Sequence, residues 1–252
     1  MAFARRALTA GVYAERRYEA GLRSWQRGIR RVMVMIVGPS LLVGVVVLLL
    51  DGHPISWFAG ALAGAGGGVW GWVRESPPEY VENWHLGAEG ERKTERALEP
   101  LAKAGWSFAH DIQGPGGNID HIAVGPAGVY LLETKNPRGS VEIRKGVTHV
   151  RSRHDPDRTT PLRSVRPQAA GAAARVKHEI EERSGIRTWV QPTVVFWSDF
   201  PAQIVEDDRC VYVHGSRLAS WLRERPETLD QQQVERVAAA IASLASEREL
   251  EV

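Results

Sequence analysis

Residues 118–136, Asn-Ile-Asp-His-Ile-Ala-Val-Gly-Pro-Ala-Gly-Val-Tyr-Leu-Leu-Glu-Thr-Lys-Asn, decide how the rest of the chain reads. Two apolar, β-branched runs flank Gly125-Pro126-Ala127-Gly128, which is the pattern of a β-hairpin. A turn centred on Pro126-Ala127 puts Asp120 opposite Glu133 and Ile122 opposite Leu131. Side chains alternate along a strand, so Asp120, Glu133 and Lys135 share a face with Ile122, Val124, Val129 and Leu131. His121 falls on the other face and reads as structural. Opposed residues in an antiparallel pair have Cβ atoms about 4.5–5.5 Å apart, and like charges there repel. Two carboxylates and a lysine at the end of an apolar face call for a compensating cation, and a hard divalent ion suits carboxylate oxygens. A three-residue loop with a bulge would slip this register and separate the two acids.

Upstream, residues 106–112 read as a strand and 113–117 as the loop that delivers the chain to Asp120. Before them a helix is expected over about 87–104. Its inward face carries Glu91, Thr94, Leu98 and Leu101 at helical spacing, and Glu89, Arg92, Lys93 and Arg96 share the charged face. Glu91 is therefore the candidate buried acid, and Glu89 the solvated one. Pro100 predicts a kink or an early end near Glu99.

Downstream, 141–143 and 147–150 read as short strands. Residues 144–166 hold seven Lys and Arg against Asp155 and Asp157, a surplus of +5 that suits either a phosphate backbone or plain solvated surface. Within it, 151–163 matches no element. A helix over 166–183 carries Gln168 in its first turn. The strand over 188–197 contains Pro192, which predicts an edge or a bulge. Residues 210–214 make another strand, and Ser216 and Thr228 are expected N-caps for helices over 217–225 and 229–246. The order of helix, strands, helix and strand is an α/β layer with a mixed sheet. The sequence contains no internal repeat, no metal-spaced Cys/His set, no P-loop and no dinucleotide fingerprint.

The 252 residues carry a net charge of +2, and the single Cys210 excludes an internal disulfide. Residues 1–73 hold eight Arg against Glu15, Glu19 and Asp51, a net +5. They also hold two uncharged apolar runs of 19 residues, 32–50 and 55–73, joined by Asp51-Gly52-His53-Pro54. At about 1.5 Å per residue each run nearly spans a hydrocarbon core of about 30 Å, so a transmembrane hairpin is expected. The arginines all precede the first run, which places both termini and the following domain in the cytoplasm, at the inner membrane. Gly60, Gly64 and Gly68 form a small-residue stripe, suited to packing inside the hairpin or to self-association. In residues 1–31, Ala14, Tyr18, Leu22, Trp25 and Ile29 follow helical spacing, which fits a helix on an anionic leaflet or a solvated basic helix. Residues 74–85, with Ser76-Pro77-Pro78, read as a linker.

A helical glutamate, an aspartate, and then Glu-x-Lys on one strand face resemble the PD-(D/E)XK nuclease superfamily. Within it the chain is most similar to the nuclease-related domain, NERD. The matching pieces are Gly87-Ala88-Glu89-Gly90-Glu91, Ile119-Asp120-His121-Ile122, Gly125-Pro126-Ala127-Gly128-Val129 and Glu133-Thr134-Lys135-Asn136, over about 86–197. Gln168 fits the family's late glutamine. The resemblance implies a restriction-endonuclease-like core, with the domain set at 86–214, and the C-terminal helices at 215–252 lie outside it. It also implies a metal-dependent nuclease, with Asp120, Glu133 and Glu91 holding Mg²⁺ or Mn²⁺. Lys135 would orient the nucleophile or stabilise charge on phosphorus, and Gln168 would position substrate or water. The implied partner is nucleic acid, DNA ahead of RNA. The alternative is a membrane-anchored binding or scaffolding module that kept the fold without turnover.

Overall fold

The computed structural model describes residues 10–51, 66, 69, 78–113, 117–153, 155, 157–207 and 209–250. In chain order its elements are α1 (Val12–Asp51), α2 (Glu79–Ala102), β1 (Ser107–Ile112), β2 (Ile119–Gly125), β3 (Gly128–Lys135), β4 (Ser140–Arg144), β5 (Val147–Arg151) and β6 (Thr159–Leu162). They continue with α3 (Val165–Ser184), β7 (Val190–Phe196), β8 (Ile204–Asp207), β9 (Cys210–His214), α4 (Gly215–Arg223) and α5 (Gln231–Leu250). The chain divides into two compact units, one of residues up to Ala14 together with Leu86 onward, the other Glu15–His85.

The larger unit is built on a six-stranded sheet in the order β1-β2-β3-β7-β9-β8. β3, β7 and β9 run parallel, while β1, β2 and β8 pair antiparallel, so the sheet is mixed. The strict alternation of the hairpin residues sends them into two separate cores. Ile122, Val124, Val129 and Leu131 pack with Ala169, Ala172, Val176 and Ile180 of α3 and with Val237 and Ile241 of α5. Ala123, Tyr130 and Leu132 pack on the opposite face with Leu98 and Leu101 of α2 and with Trp221 and Leu222 of α4. The result is an α/β fold with helices on both faces of the sheet, and the residues after 214 complete both layers instead of forming an appendage. β4, β5 and β6 form a separate three-stranded antiparallel sheet.

Several expectations change. α2 starts at Glu79, so most of the expected linker at 74–85 is helix, and Pro100 sits in its last turn without ending it early. β7 lies inside the sheet, not at an edge. Pro192 pairs only with Leu131, and pairing to β9 begins at Thr193, so the missing N–H falls outside the doubly paired stretch. The cap of α4 is His214, which accepts from the Ser216 N–H. Asp230 and Gln233 exchange side-chain-to-backbone hydrogen bonds at the start of α5, where Thr228 was expected to cap.

In the smaller unit α1 carries the expected apolar stripe, with Tyr18, Leu22, Trp25 and Ile29 half-buried and the arginines beside them exposed. Tyr18 packs on His85, and Arg17 lies over Trp84. α1 continues unbroken through 32–50, past Pro39, so no boundary falls at residue 31. Val34, Met35 and Leu42 on this part are exposed. Among the described residues no helix is long and apolar enough to cross a membrane, and the expected transmembrane hairpin is not supported. Its second arm, 55–73, lies outside the described residues except for Gly66 and Val69, and so do Gly60, Gly64 and Gly68.

Candidate active site

The hairpin register matches the expected one: His121 pairs with Leu132, Ile122 with Leu131, and Gly125 with Gly128 across the two-residue turn. One step further along, Asp120 lies opposite Glu133. Both are buried, at 8% and 2% exposure. The Thr134 N–H donates to Asp120 Oδ2 at 2.8 Å, and Lys135 Nζ donates to Glu133 Oε1 at 2.5 Å. The Lys135 side chain is 28% exposed.

α2 is fastened to the end of β3 by small and polar residues. A Cβ at Gly90 would stand 3.1 Å from both Asn136 Cβ and Thr134 Cγ2, so any larger residue would push these neighbours back by a few tenths of an ångström. Thr94 and Thr134 share a hydroxyl hydrogen bond at 3.0 Å, Trp197 Nε1 donates to Thr94 Oγ1 at 2.8 Å, and Asn136 Nδ2 donates to the Leu86 carbonyl. The next residue on the helix, Glu91, is buried as its spacing predicts.

A fourth carboxylate joins these from β1. His110 pairs with His121 and Ile112 with Ile119, so Asp111 stands opposite Asp120. It is buried, and its φ of 54° lies in the left-handed region that few non-glycine residues adopt. The sequence reading missed Asp111. The signal was nonetheless present, because His110-Asp111-Ile112 is the reverse of Ile119-Asp120-His121, as two antiparallel strands pairing like with like would show.

Crowding and burial set the protonation of the group. Glu91 is pushed up to about 7, first by burial, then by Asp111 and Glu133, with Lys135 and a backbone hydrogen bond from Gly11 opposing. Asp120 is held well above the usual carboxylate range by burial, then by Glu133 and Glu91. Burial works against the Lys135 ammonium, but Glu133 and Asp120 outweigh it and keep the lysine charged. Glu91 Oε2 and Asp111 Oδ1 are buried with no hydrogen-bond partner.

One expected member is not brought in. Gln168 is exposed on the first turn of α3, away from the buried carboxylates of the strands. Among the described residues no group of three or more His, Cys, Asp or Glu side chains stands ready to hold a metal ion. The reason is local: Glu133 is closed on Lys135, and Asp120 on a backbone amide. The orphaned oxygens of Glu91 and Asp111 nevertheless suit a hard, oxygen-liganded cation.

Residues 86–197 match the nuclease-related domain family, NERD. No curated protein and no solved structure matches the chain. The matched segment runs from within α2 to just past β7 and contains Glu91, Asp111, Asp120, Glu133, Lys135 and Gln168. Its mixed sheet with helices on both faces is consistent with a PD-(D/E)XK core.

Proposed function

We propose that the chain hydrolyses phosphodiester bonds of nucleic acid with a divalent cation, Mg²⁺ or Mn²⁺, at the carboxylate end of the β1–β2–β3 layer. The reading is carried by Asp120 opposite Glu133, with Lys135 beside them, buried on one strand face inside the NERD segment. When bound, the cation would neutralise charge at phosphorus and acidify a water molecule. Asp120 and Glu133 would hold it, with Glu91 adding its unpartnered oxygen. Binding would expel the protons that crowding favours on Asp120 and Glu91. Lys135 is too strongly held in its charged form to act as a base. Freed from Glu133, its ammonium would face a phosphoryl oxygen or orient the attacking water.

The polyanionic substrate, DNA ahead of RNA, is supported by the basic stretch at 144–166. Arg151, Arg153, Arg158 and Arg163 are exposed there, while Arg144 pairs with Glu142 and Arg166 with Asp207. Attachment to the cytoplasmic side of a membrane is supported by the eight arginines that precede residue 32, which suit an anionic leaflet. One observation favours the rival reading of a binding or scaffolding module: Lys135 closes on Glu133 and occupies one of its oxygens. Full-length chain in detergent, incubated with plasmid DNA and with structured RNA in Mg²⁺, Mn²⁺ or EDTA, separates the two. Cleavage that needs the cation and vanishes in Asp120→Asn supports hydrolysis. Retention of nucleic acid without cleavage in every condition leaves the module.

A further inference from the structure

The first turn of α1 ends in the same carboxylates. The Ala10 N–H donates to Glu95 Oε2 at 3.1 Å and the Tyr13 N–H to Asp111 Oδ2 at 2.8 Å, while Gly11 makes its backbone hydrogen bond to Glu91. Ala10 and Ala14 are fully buried. Gly11 has φ +83°, and a Cβ there would lie 2.9 Å from the Ala88 carbonyl oxygen, so the segment is fitted closely against α2. The first N–H groups of a helix have no acceptor of their own and form its positive end. Here carboxylates from α2 and β1 take that part.

We propose that residues 10–14 are a built-in occupant of the acidic site, competing with a divalent cation for Asp111 and Glu91. The inference rests on the cation-dependent reading above and adds a control to it. The amide donors satisfy only half of each acid: Glu91 Oε2 and Asp111 Oδ1 stay buried and unpartnered. A divalent ion would engage those oxygens, and it cannot share the cradle with N–H groups aimed at the same two acids. Asp111, opposite Asp120 in register, links the segment to the hairpin acids. The occupant continues directly into the helix that carries the apolar run 32–50.

The test uses full-length chain and Mn²⁺ alone. Tyr13→Pro removes one N–H at a first-turn position that tolerates proline, and Tyr13→Ala removes the same ring but keeps the N–H. Tyr13→Pro is expected to bind Mn²⁺ at least about tenfold more tightly than Tyr13→Ala by calorimetry, because a hydrogen bond to a charged acceptor is lost only from the closed form. In the unmutated chain, Mn²⁺ is expected to speed amide hydrogen exchange of the peptide spanning 10–14. Equal affinities for the two variants, or unchanged exchange at saturating Mn²⁺, would overturn the proposal. Failure of Mn²⁺ to bind any of the three chains would overturn it together with the cation-dependent mechanism. If Mn²⁺ releases the segment but no nucleic acid is cut, the competition stands and the hydrolytic reading falls.

Discussion

One residue apart on the same two strands, β1 and β2 present two pairs of like groups: His110 opposite His121, and Asp111 opposite Asp120. The histidines satisfy each other at Nδ1, while His121 Nε2 is buried without a hydrogen-bond partner. Their Nδ1 atoms are 2.7 Å apart, one donating and one accepting, and the rings meet edge to face. Burial holds His110 down to about 4, and burial together with His110 holds His121 well below the ordinary range, so the pair stays neutral. Carboxylates have no donor to offer each other unless one is protonated. They draw donors from elsewhere instead: Thr134 for Asp120, Tyr13 for Asp111 and Lys135 for Glu133. A pair that closes on itself has only a structural use. A pair satisfied from outside can exchange its partners, and that is where a ligand can compete.

The contrast breaks most visibly in activity. Lys135→Met is expected to lower the cation-dependent cleavage rate by about 10²–10³-fold, the cost of losing one donor to a developing anion. His121→Phe, on the other face, should stay within a few fold when the rate is normalised to folded protein. An equal loss in both variants, measured as initial rates on plasmid DNA, would mean that the histidine face is not merely structural.

The buried acid and the buried histidine should also respond to pH with opposite signs. Glu91 has its folded pKa raised from 4.5 to about 7, so the stability it contributes is complete below 4.5 and is lost as pH rises through about 7. His110 has its folded pKa lowered from 6.5 to about 4, so its contribution is complete above 6.5 and is lost as pH falls through about 4. Each amounts to about 3 kcal/mol across its window, and between about 4.5 and 6.5 they oppose each other. The metal-free chain should therefore show a nearly flat urea midpoint there. Glu91→Gln should make the midpoint rise with pH, and His110→Phe should make it fall. The same slope in both variants would sink the assignment.

A smaller effect tests whether the acids repel. Asp120→Asn keeps an oxygen for the Thr134 N–H while removing the acid that burial and Glu133 crowd. In EDTA it should stabilise the chain by about 1–2 kcal/mol. It should also lose most of the Mg²⁺ increment, about 2.7 kcal/mol at a hundredfold excess over Kd in the unmutated chain. A lower metal-free melting point with the full Mg²⁺ response would show that Asp120 and Glu133 do not act together.

The sequence made the hairpin legible because alternation and the turn residues fix a register, and the register alone placed Asp120, Glu133 and Lys135. Glu91 was legible from helical spacing with Leu98 and Leu101. What stayed hidden depends on partners distant in sequence. Asp111 needs the β1–β2 pairing, which the six-residue connection at 113–118 does not announce. β6 and β8 are short and mostly polar or half-exposed, so neither carries a core-facing pattern. Pro192 looked like an edge residue because its tolerance depends on where the ladder to β9 begins. The docking of residues 10–14 leaves no periodic trace, since the acceptors are carboxylates on α2 and β1.

The smallest effect is expected at Gln168. It lies exposed in the first turn of α3, beside the buried Val165 and Ala169, and its backbone N–H already bonds to the Ser164 carbonyl. Truncating an exposed side chain on a helix changes stability by no more than about 0.5 kcal/mol, so Gln168→Ala should fold and bind Mn²⁺ as the unmutated chain does. Anything it contributes must come from a contact with the substrate, and one neutral hydrogen bond is worth about 0.5–1.5 kcal/mol. That limits the loss in kcat/KM to roughly tenfold. If the contact forms equally in the ground and transition states, the loss appears in KM, and if it positions the attacking water, in kcat. A change in Mn²⁺ affinity, or a loss as large as that of Lys135→Met, would show that α3 moves Gln168 into the carboxylate group when substrate binds. The division between an exposed helix turn and a buried strand face would then have to be redrawn.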